Sequence, residues 1–281
     1  MLELHHKLMI FLQYPFVYRA LVAGIMISLC SSLLGVTLVM KRLSFIGDGL
    51  SHVAFGIMCI AAVMNLSDDM LLILPVTIIC AIFLISKKDV GKTKGDAALA
   101  MLSVSSLAIG YLLMNIFSAS SNVSGDVCTT LFGSVSILTL SNMDMIISII
   151  LSIIIVAVYI LLYKKIFIVT FDPCFAESIG INTKHYNNLI AVISAVVIVL
   201  AMRLVGSLLV TALVIFPVIS AMHIFKSYKL VLLFSVVLSI ISSATGILAA
   251  VMLGTPVGAT IVVFNICIFI VSKIAGRMRK W

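Results

Sequence analysis

Two residues of this chain, Asp48 and His52, have the types and the spacing to bind a metal ion. They lie four positions apart, a separation that puts both side chains on one face of an α-helix. A carboxylate oxygen and a neutral imidazole nitrogen are donors suited to Zn²⁺, Mn²⁺ or Fe²⁺. Two donors are too few for a closed structural site, but they suit a transit site that an ion must leave. A symmetry-related copy would raise the number of ligands to four.

The chain around this pair is too apolar to build a water-soluble surface. Its 281 residues are 63% hydrophobic and only 10% charged, with a mean hydropathy of +1.33. Soluble domains carry about a quarter charged residues, and here the charges cluster between long apolar runs. We therefore predict an all-α, polytopic bundle of transmembrane helices that forms a single membrane domain over residues 1–281.

Apolar runs long enough to cross a bilayer predict eight to nine spans, since about 20 helical residues cover a hydrocarbon core of about 30 Å. The sixth and seventh runs are barely separated, which leaves both counts open. Residues 1–16 precede the first run and predict a short interfacial segment. The nine runs are Ala20–Met40, Gly49–Met64, Met70–Ser86, Ala97–Phe117, Met143–Tyr163, Asn188–Met202, Leu204–Phe225, Leu230–Leu253 and Val257–Ser272.

The basic residues predict the orientation of the chain in the bilayer. With nine spans and the N-terminus outside, 15 of the 18 lysines and arginines fall on the inner side. This is the positive-inside pattern, so we predict an outer N-terminus and an inner C-terminus. The same pattern accounts for the net charge of +8 without a nucleic-acid partner, because the basic residues lie in connectors and at the C-terminus.

The length of the second run places the pair at membrane depth. Gly49–Met64 has 16 residues, and counting 20 residues back from Met64 reaches Phe45. Asp48 then lies about one turn inside the inner edge, with His52 one turn deeper. A charge at mid-span costs about 2.5–3.5 kcal/mol on insertion scales. We therefore expect either an interaction partner that offsets this cost or a function that requires the pair at this depth. The structural alternative is that Asp48 caps the helix and His52 hydrogen-bonds a neighbouring carbonyl.

Two further residues could line a pathway. Met58 lies on the same span as His52, although methionine in a membrane core usually serves packing. His223 lies near the inner end of the seventh span, where an interfacial histidine is the plainer interpretation. A constant offset of 171 aligns Leu33–His52 with Leu204–His223 and hints at an internal repeat of the kind that transporters use.

The connector 166–186 is the longest on the inner side and predicts a short helix. Asp172 and Pro173 are a typical N-cap and first-turn pair, and Gly180 is a typical helix stop. Ala176 and Glu177 lie between them. A short helix with few charges needs something to pack on, which is either a soluble partner or the rest of the membrane domain.

No sequence motif indicates catalysis. HExxH and GxSxG are absent, and Gly91-Lys92-Thr93 lacks the first glycine of a phosphate-binding loop. The six cysteines form no CxxC pair. We therefore predict a protein that is not an enzyme and holds no tightly bound cofactor.

The stretch from Lys41 to His52, KRLSFIGDGLSH, resembles the signature of the membrane permeases of zinc/manganese/iron ABC importers. Leu131–Gly133, Phe171–Ile181 and Val205–Pro217 are similar to further stretches of the same family, in the same order. The sequence GDGLSH at residues 47–52 is most similar to the zinc branch of that family. Val53 departs from the alanine that is frequent after the histidine in that family.

The resemblance implies a homodimeric permease subunit in the cytoplasmic membrane, with two cytosolic ATPase subunits and an extracytoplasmic metal-binding protein as partners. It implies that Asp48 and His52 line the path of the ion, zinc first, with manganese or iron as the alternative. It also implies that the helix Asp172–Gly180 docks on the ATPase. The rival class is an ATP-independent, ion-coupled secondary transporter or channel, in which the pair relays protons or metal.

Overall fold

The structure, a computed structural model, describes residues 14–64, 66, 70–86, 93–117 and 142–278. The regular structure in these ranges is helical. Leu131–Gly133, one of the stretches similar to the permease family, lies outside the described residues, as do residues 1–13 of the predicted interfacial segment. The helices are α1 (Pro15–Met40), α2 (Ile46–Val63), α3 (Met70–Ser86), α4 (Thr93–Phe117), α5 (Asn142–Phe171), α6 (Pro173–Ser178), α7 (Thr183–Val205), α8 (Ser207–Ile224), α9 (Tyr228–Leu253) and α10 (Val257–Met278).

The predicted all-α membrane fold is confirmed. Each of the nine apolar runs coincides with a helix, and in the described part of the chain eight helices have the length and composition of a membrane span. The ninth, α3, is apolar but has only 17 residues. The sixth and seventh runs are separate helices joined by Gly206, whose φ of 93° and ψ of 155° are essentially restricted to glycine.

The flanking helices extend into the predicted inner connector 166–186. α5 continues to Phe171 and α7 begins at Thr183, so the connection between them, which contains α6, covers only residues 172–182. Lys164 and Lys165 do not end α5. Lysine is a good helix former, and its long stem lets the charge reach water while the helix continues.

Two helices begin before the apolar runs that located them. α1 begins at Pro15 rather than Ala20, so the segment predicted over 1–16 gives its last two residues to a helix. Proline is favoured at a first helical position because its missing N–H would be unpaired there anyway. α2 begins at Ile46, three residues before its apolar run and within one residue of the Phe45 start predicted by counting back a full span, so Asp48 lies inside the helix.

The described residues group into two compact units, each made of discontinuous stretches. The α2 unit comprises those within Thr37–Cys128 and Ala157–Leu200. The α8 unit comprises those within Met1–Val36, Thr129–Val156 and Ala201–Trp281. The single domain expected over 1–281 stays a prediction.

Small residues bring the helices of the α8 unit close together. The Ser239 hydroxyl of α9 donates a 2.9 Å hydrogen bond to the Ser28 carbonyl of α1. A Cβ added at Gly24 would lie 3.2 Å from the Ser243 hydroxyl, and one added at Gly246 would lie 2.6 Å from the Ile261 side chain of α10. Glycine and serine at such contacts are the usual means of close helix packing in a membrane, where no hydrophobic force draws helices together.

Candidate metal site

Asp48 and His52 form a contact within the first two turns of α2. The distance from His52 Nε2 to Asp48 Oδ1 is 3.4 Å, which is longer than a good N–H···O hydrogen bond. The Asp48 side chain is 37% exposed and the His52 side chain 13%. The two groups are therefore paired loosely, and one side of the pair remains accessible.

The structural alternative for these residues does not match the geometry. Phe45 is the N-cap of α2 and makes no side-chain capping bond, while Asp48 is the third helical residue. Its charge there is favoured by the dipole at the helix N-terminus. His52 Nδ1 is buried and has no hydrogen-bond partner among the residues that the structure describes. The imidazole thus keeps an unsatisfied nitrogen, which is costly unless a ligand or proton partner uses it.

The turn before α2 is anchored at both of its basic residues. Arg42 has a φ of 59°, the left-handed position that usually holds glycine after a helix, and the Leu43 N–H donates to the Leu38 carbonyl at 2.8 Å. Lys41 Nζ donates to Asn187 Oδ1 at the start of α7. Burial lowers the pKa of Lys41 to about 8. This fixed turn sets the direction in which α2 begins.

Glycines hold α2 against α4 beside the pair. A Cβ at Gly56 would lie 2.7 Å from the Ser106 carbonyl oxygen, and one at Gly110 would lie 3.0 Å from Gly56 Cα. Gly49, next to Asp48, packs on the Leu99 side chain. Gly110 and Ser106 belong to this contact but are not among the residues predicted from the sequence. An apolar run gives no sign of which distant helix its glycine touches.

The other predicted pathway residues, Met58 and His223, lie on α2 and α8 respectively. Met58 is half-buried on α2, but six residues of helix place it about 120° around the axis from His52. His223 is exposed in the last turn of α8, with its ring 5.6 Å from the Phe269 ring in the α8 unit. The offset of 171 pairs a histidine in the second turn of α2 with one in the last turn of α8, so the two helices do not correspond at that offset.

The predicted short helix in the inner connector is present as α6. Asp172 is its N-cap and accepts a 2.9 Å hydrogen bond from the Phe175 N–H, with Pro173 in the first turn. Gly180 follows the helix with a φ of 81°. The start and stop signals read from the sequence are therefore confirmed.

One side of α6 is fixed to the membrane helices and the other is open. Ala176 is fully buried, and Glu177 Oε1 accepts a 2.6 Å hydrogen bond from the Thr183 hydroxyl at the start of α7. Phe175 and Ile179 each remain about half exposed. α6 thus has a fixed position and presents two large apolar side chains for contact.

One copy of the chain supplies an incomplete set of metal donors. Within the described ranges, no third His, Cys, Asp or Glu joins the pair to make a group of three. Zinc sites generally have four ligands, of which three or more come from protein side chains. The arrangement can hold an ion weakly by itself, and tight coordination needs donors from elsewhere.

The chain resembles known membrane permeases over nearly its full length. The model of the ABC 3 transport family matches residues 13–276. The chain is 27% identical over 268 residues to the manganese import system permease protein ScaB of Streptococcus gordonii, covering 95% of this chain and 94% of that protein. It is also 27% identical over 261 residues to the high-affinity zinc uptake system membrane protein ZnuB of Buchnera aphidicola subsp. Schizaphis graminum, covering 93% and 98%.

A solved structure shares the fold. PsaBC from Streptococcus pneumoniae, in complex with Fab, superposes with a TM-score of 0.81 at 25% identity, covering 96% of this chain and 94% of that one. The names of the relatives include both manganese and zinc. The matched region contains both Asp48 and His52.

Proposed function

This chain belongs to the ABC 3 transport family and is a permease of a metal-ion importer, and we propose that its cargo is Zn²⁺, held in transit by Asp48 and His52. It is a multi-pass protein of the cell membrane. The permease is not itself an enzyme, since ATP hydrolysis belongs to a separate subunit in such importers. Family membership thus favours the importer over an ATP-independent transporter.

The Asp48–His52 pair is the observation that carries the proposal. An acid and an imidazole are held 3.4 Å apart inside a membrane-spanning helix, on a face that stays partly open. His52 Nδ1 is buried without a hydrogen-bond partner in the described part of the chain. An incompletely paired imidazole at membrane depth is costly, and a passing cation that needs oxygen and nitrogen donors would bind between the Asp48 carboxylate and His52 Nε2.

A second copy of the chain completes the site in this proposal. Two α2 helices facing each other would offer two carboxylates and two imidazoles. Four donors of this type suit tetrahedral Zn²⁺, whereas Mn²⁺ prefers more ligands and more oxygen. Zinc is therefore the first candidate and manganese the second. The coordination is transient because neither copy alone closes around the ion.

The remaining partners follow from the same proposal. With the outer N-terminus and inner C-terminus that the basic residues predict, α6 lies on the cytosolic side. There the exposed Phe175 and Ile179 would contact the ATPase dimer, and the buried Ala176 and the Glu177–Thr183 bond would pass its movement to α7. An extracytoplasmic binding protein would deliver the metal at the outer face.

Uptake of radioactive zinc and manganese tests the pair directly. In cells that lack their own importers, we expect Asp48→Ala or His52→Ala to abolish ⁶⁵Zn uptake while the dimer and its ATPase still co-purify. Met58→Leu is the matched control on the same helix, because it keeps the volume and removes the sulfur. A ⁶⁵Zn rate near wild type in either alanine variant would contradict the proposal. Uptake of ⁵⁴Mn but not ⁶⁵Zn by the wild type would identify manganese instead of zinc as the cargo.

A further inference from the structure

A basic cleft lies in the α8 unit, where the ends of α8 and α10 meet the start of α9. It has a volume of about 910 Å³, and its charged lining is Lys226, Lys273 and Arg277, with His223 beside them. Gly276 allows α10 to approach, since its Cα lies against the His223 carbonyl. The cleft is separate in sequence from the metal site, and the proposed transport of metal does not use it.

The cations of the basic cleft lack a counter-charge from their own helices. No acidic residue follows Glu177 in the sequence, so α8, α9 and α10 contain none. The Lys273 ammonium lies 6.0 Å from the centre of the Phe269 ring, a weak contact that leaves the charge in need of an anion. Three cations around one cavity repel each other, and an anion from outside the chain would relieve that repulsion.

The apolar surface next to the basic cleft indicates what kind of anion fits. Leu230 lines the cleft and begins a stripe of exposed side chains along α9, and a second stripe along α10 ends at Arg277 on the same helix face. Both stripes run along helices that span the membrane, where lipid tails pack. The first stripe is Leu230, Leu233, Val237 and Ile241, and the second is Val263, Ile266, Ile270 and Ile274.

We propose that the basic cleft binds the headgroup of an anionic phospholipid whose acyl chains lie on these two stripes. Basic pockets between membrane helices on the cytosolic side suit such headgroups, and the predicted orientation places the cleft in the inner leaflet. An acidic segment of a protein partner is the rival occupant, but it would leave the two apolar stripes unexplained. Bound lipid would fix the ends of α8 and α10 to each other.

Lipid titration of the purified permease–ATPase complex tests the proposal. Phosphatidylglycerol is added in detergent and the bound copies are counted by native mass spectrometry, with zwitterionic phosphatidylcholine as the probe that has no net charge. We expect the wild type to prefer phosphatidylglycerol, and Lys273→Gln or Arg277→Gln to weaken that binding about fivefold for each charge removed. Arg277→Lys should keep most of the affinity, because it keeps the charge.

The control is Lys229→Gln, which removes an exposed charge from the first turn of α9 without touching the cleft lining. An equal loss in Lys229→Gln would show general surface attraction and overturn the proposal. So would equal affinity for the two lipids, or displacement of phosphatidylglycerol by equimolar inorganic phosphate. Loss of the ATPase from Arg277→Gln with unchanged lipid binding would assign the cleft to an acidic protein partner instead. A melting temperature measured for each variant separates lost binding from lost folding.

Discussion

Helices α2 and α8 have the same length, 18 residues, yet only α2 carries an acid–imidazole pair inside its span. Each is held by a glycine contact with the helix two positions later in the chain. In the α2 unit Gly56 meets Ser106 of α4, and in the α8 unit Gly276 of α10 meets the His223 carbonyl. The histidine of α8 lies in the last turn, where water or headgroups can solvate it.

Close helix packing and the presence of metal-binding side chains are therefore separate properties of these two helices. Glycine contacts occur in both units, so close packing alone does not mark a transport site. The distinguishing feature is depth, because His52 lies in the second turn of its span and is paired with Asp48, whereas His223 lies in the last turn of its span. An ionisable group in the span has to be offset by a bound ion or a partner, while one at the end is offset by solvent.

Replacing the histidine of each helix with aspartate should give the largest difference between α2 and α8, measured as the ratio of ⁶⁵Zn uptake to ⁵⁴Mn uptake. His52→Asp makes the α2 pair all-oxygen, which suits Mn²⁺ better than Zn²⁺. We expect ⁶⁵Zn uptake to fall at least tenfold relative to ⁵⁴Mn uptake in this variant. His223→Asp, the matched change on α8, should leave that ratio unchanged. A shift of the ratio in His223→Asp, or none in His52→Asp, would break the distinction between the two helices.

Alanine at the two glycine contacts should give the next largest effect. The new Cβ would lie 3.3 Å from the Ser106 carbonyl carbon in Gly56→Ala and 3.1 Å from the His223 carbonyl carbon in Gly276→Ala, with the carbonyl oxygen closer still in both. Backbone cannot move away as a flexible side chain can, so each variant should lose about 1–3 kcal/mol of stability. Thermal unfolding of the purified complex measures that loss.

Transport then distinguishes the two glycines. Gly56→Ala pushes α2 away from α4 and displaces the metal pair, so zinc uptake per folded molecule should fall. Gly276→Ala should keep uptake per folded molecule within about twofold of wild type, since small shifts at a span end leave the pair in place. Equal losses of uptake in both variants would mean that helix packing in general, and not the position of the pair, limits transport.

Local signals made part of this structure predictable. The apolar runs located nine helices, because a membrane span is set by its own length and composition. Asp172 and Gly180 predicted the ends of α6, since a cap and a left-handed stop act within a few residues. Asp48 and His52 could be paired because four residues of helix bring their side chains together.

Long-range neighbours account for what the sequence did not predict. The Gly110–Gly56 contact depends on which helix packs on α2, and Lys226 meets Arg277 at the basic cleft across about fifty residues. A single sequence carries no record of these distances. Helix ends also differ from the ends of the apolar runs, since α5 continues past Lys165 to Phe171 and charge alone does not stop a helix.

Substitutions at the residues that precede α2 and α8 should change stability by no more than those at the glycine contacts. Gly206, before α8, has a φ of 93°, and Arg42, before α2, has a φ of 59°. Gly206→Ala should cost about 1–3 kcal/mol, because alanine is strained in that region. Arg42→Gly should instead stabilise the protein by up to about 1 kcal/mol. Glycine removes the left-handed backbone strain, and this gain is partly offset because glycine also has more conformational freedom in the unfolded chain. Thermal unfolding measures both, and Arg42→Ala is the control that removes the charge and keeps the strain. If Arg42→Gly proves no more stable than Arg42→Ala, the turn before α2 stores no strain, and α2 and α8 differ at their starts as well as in their spans.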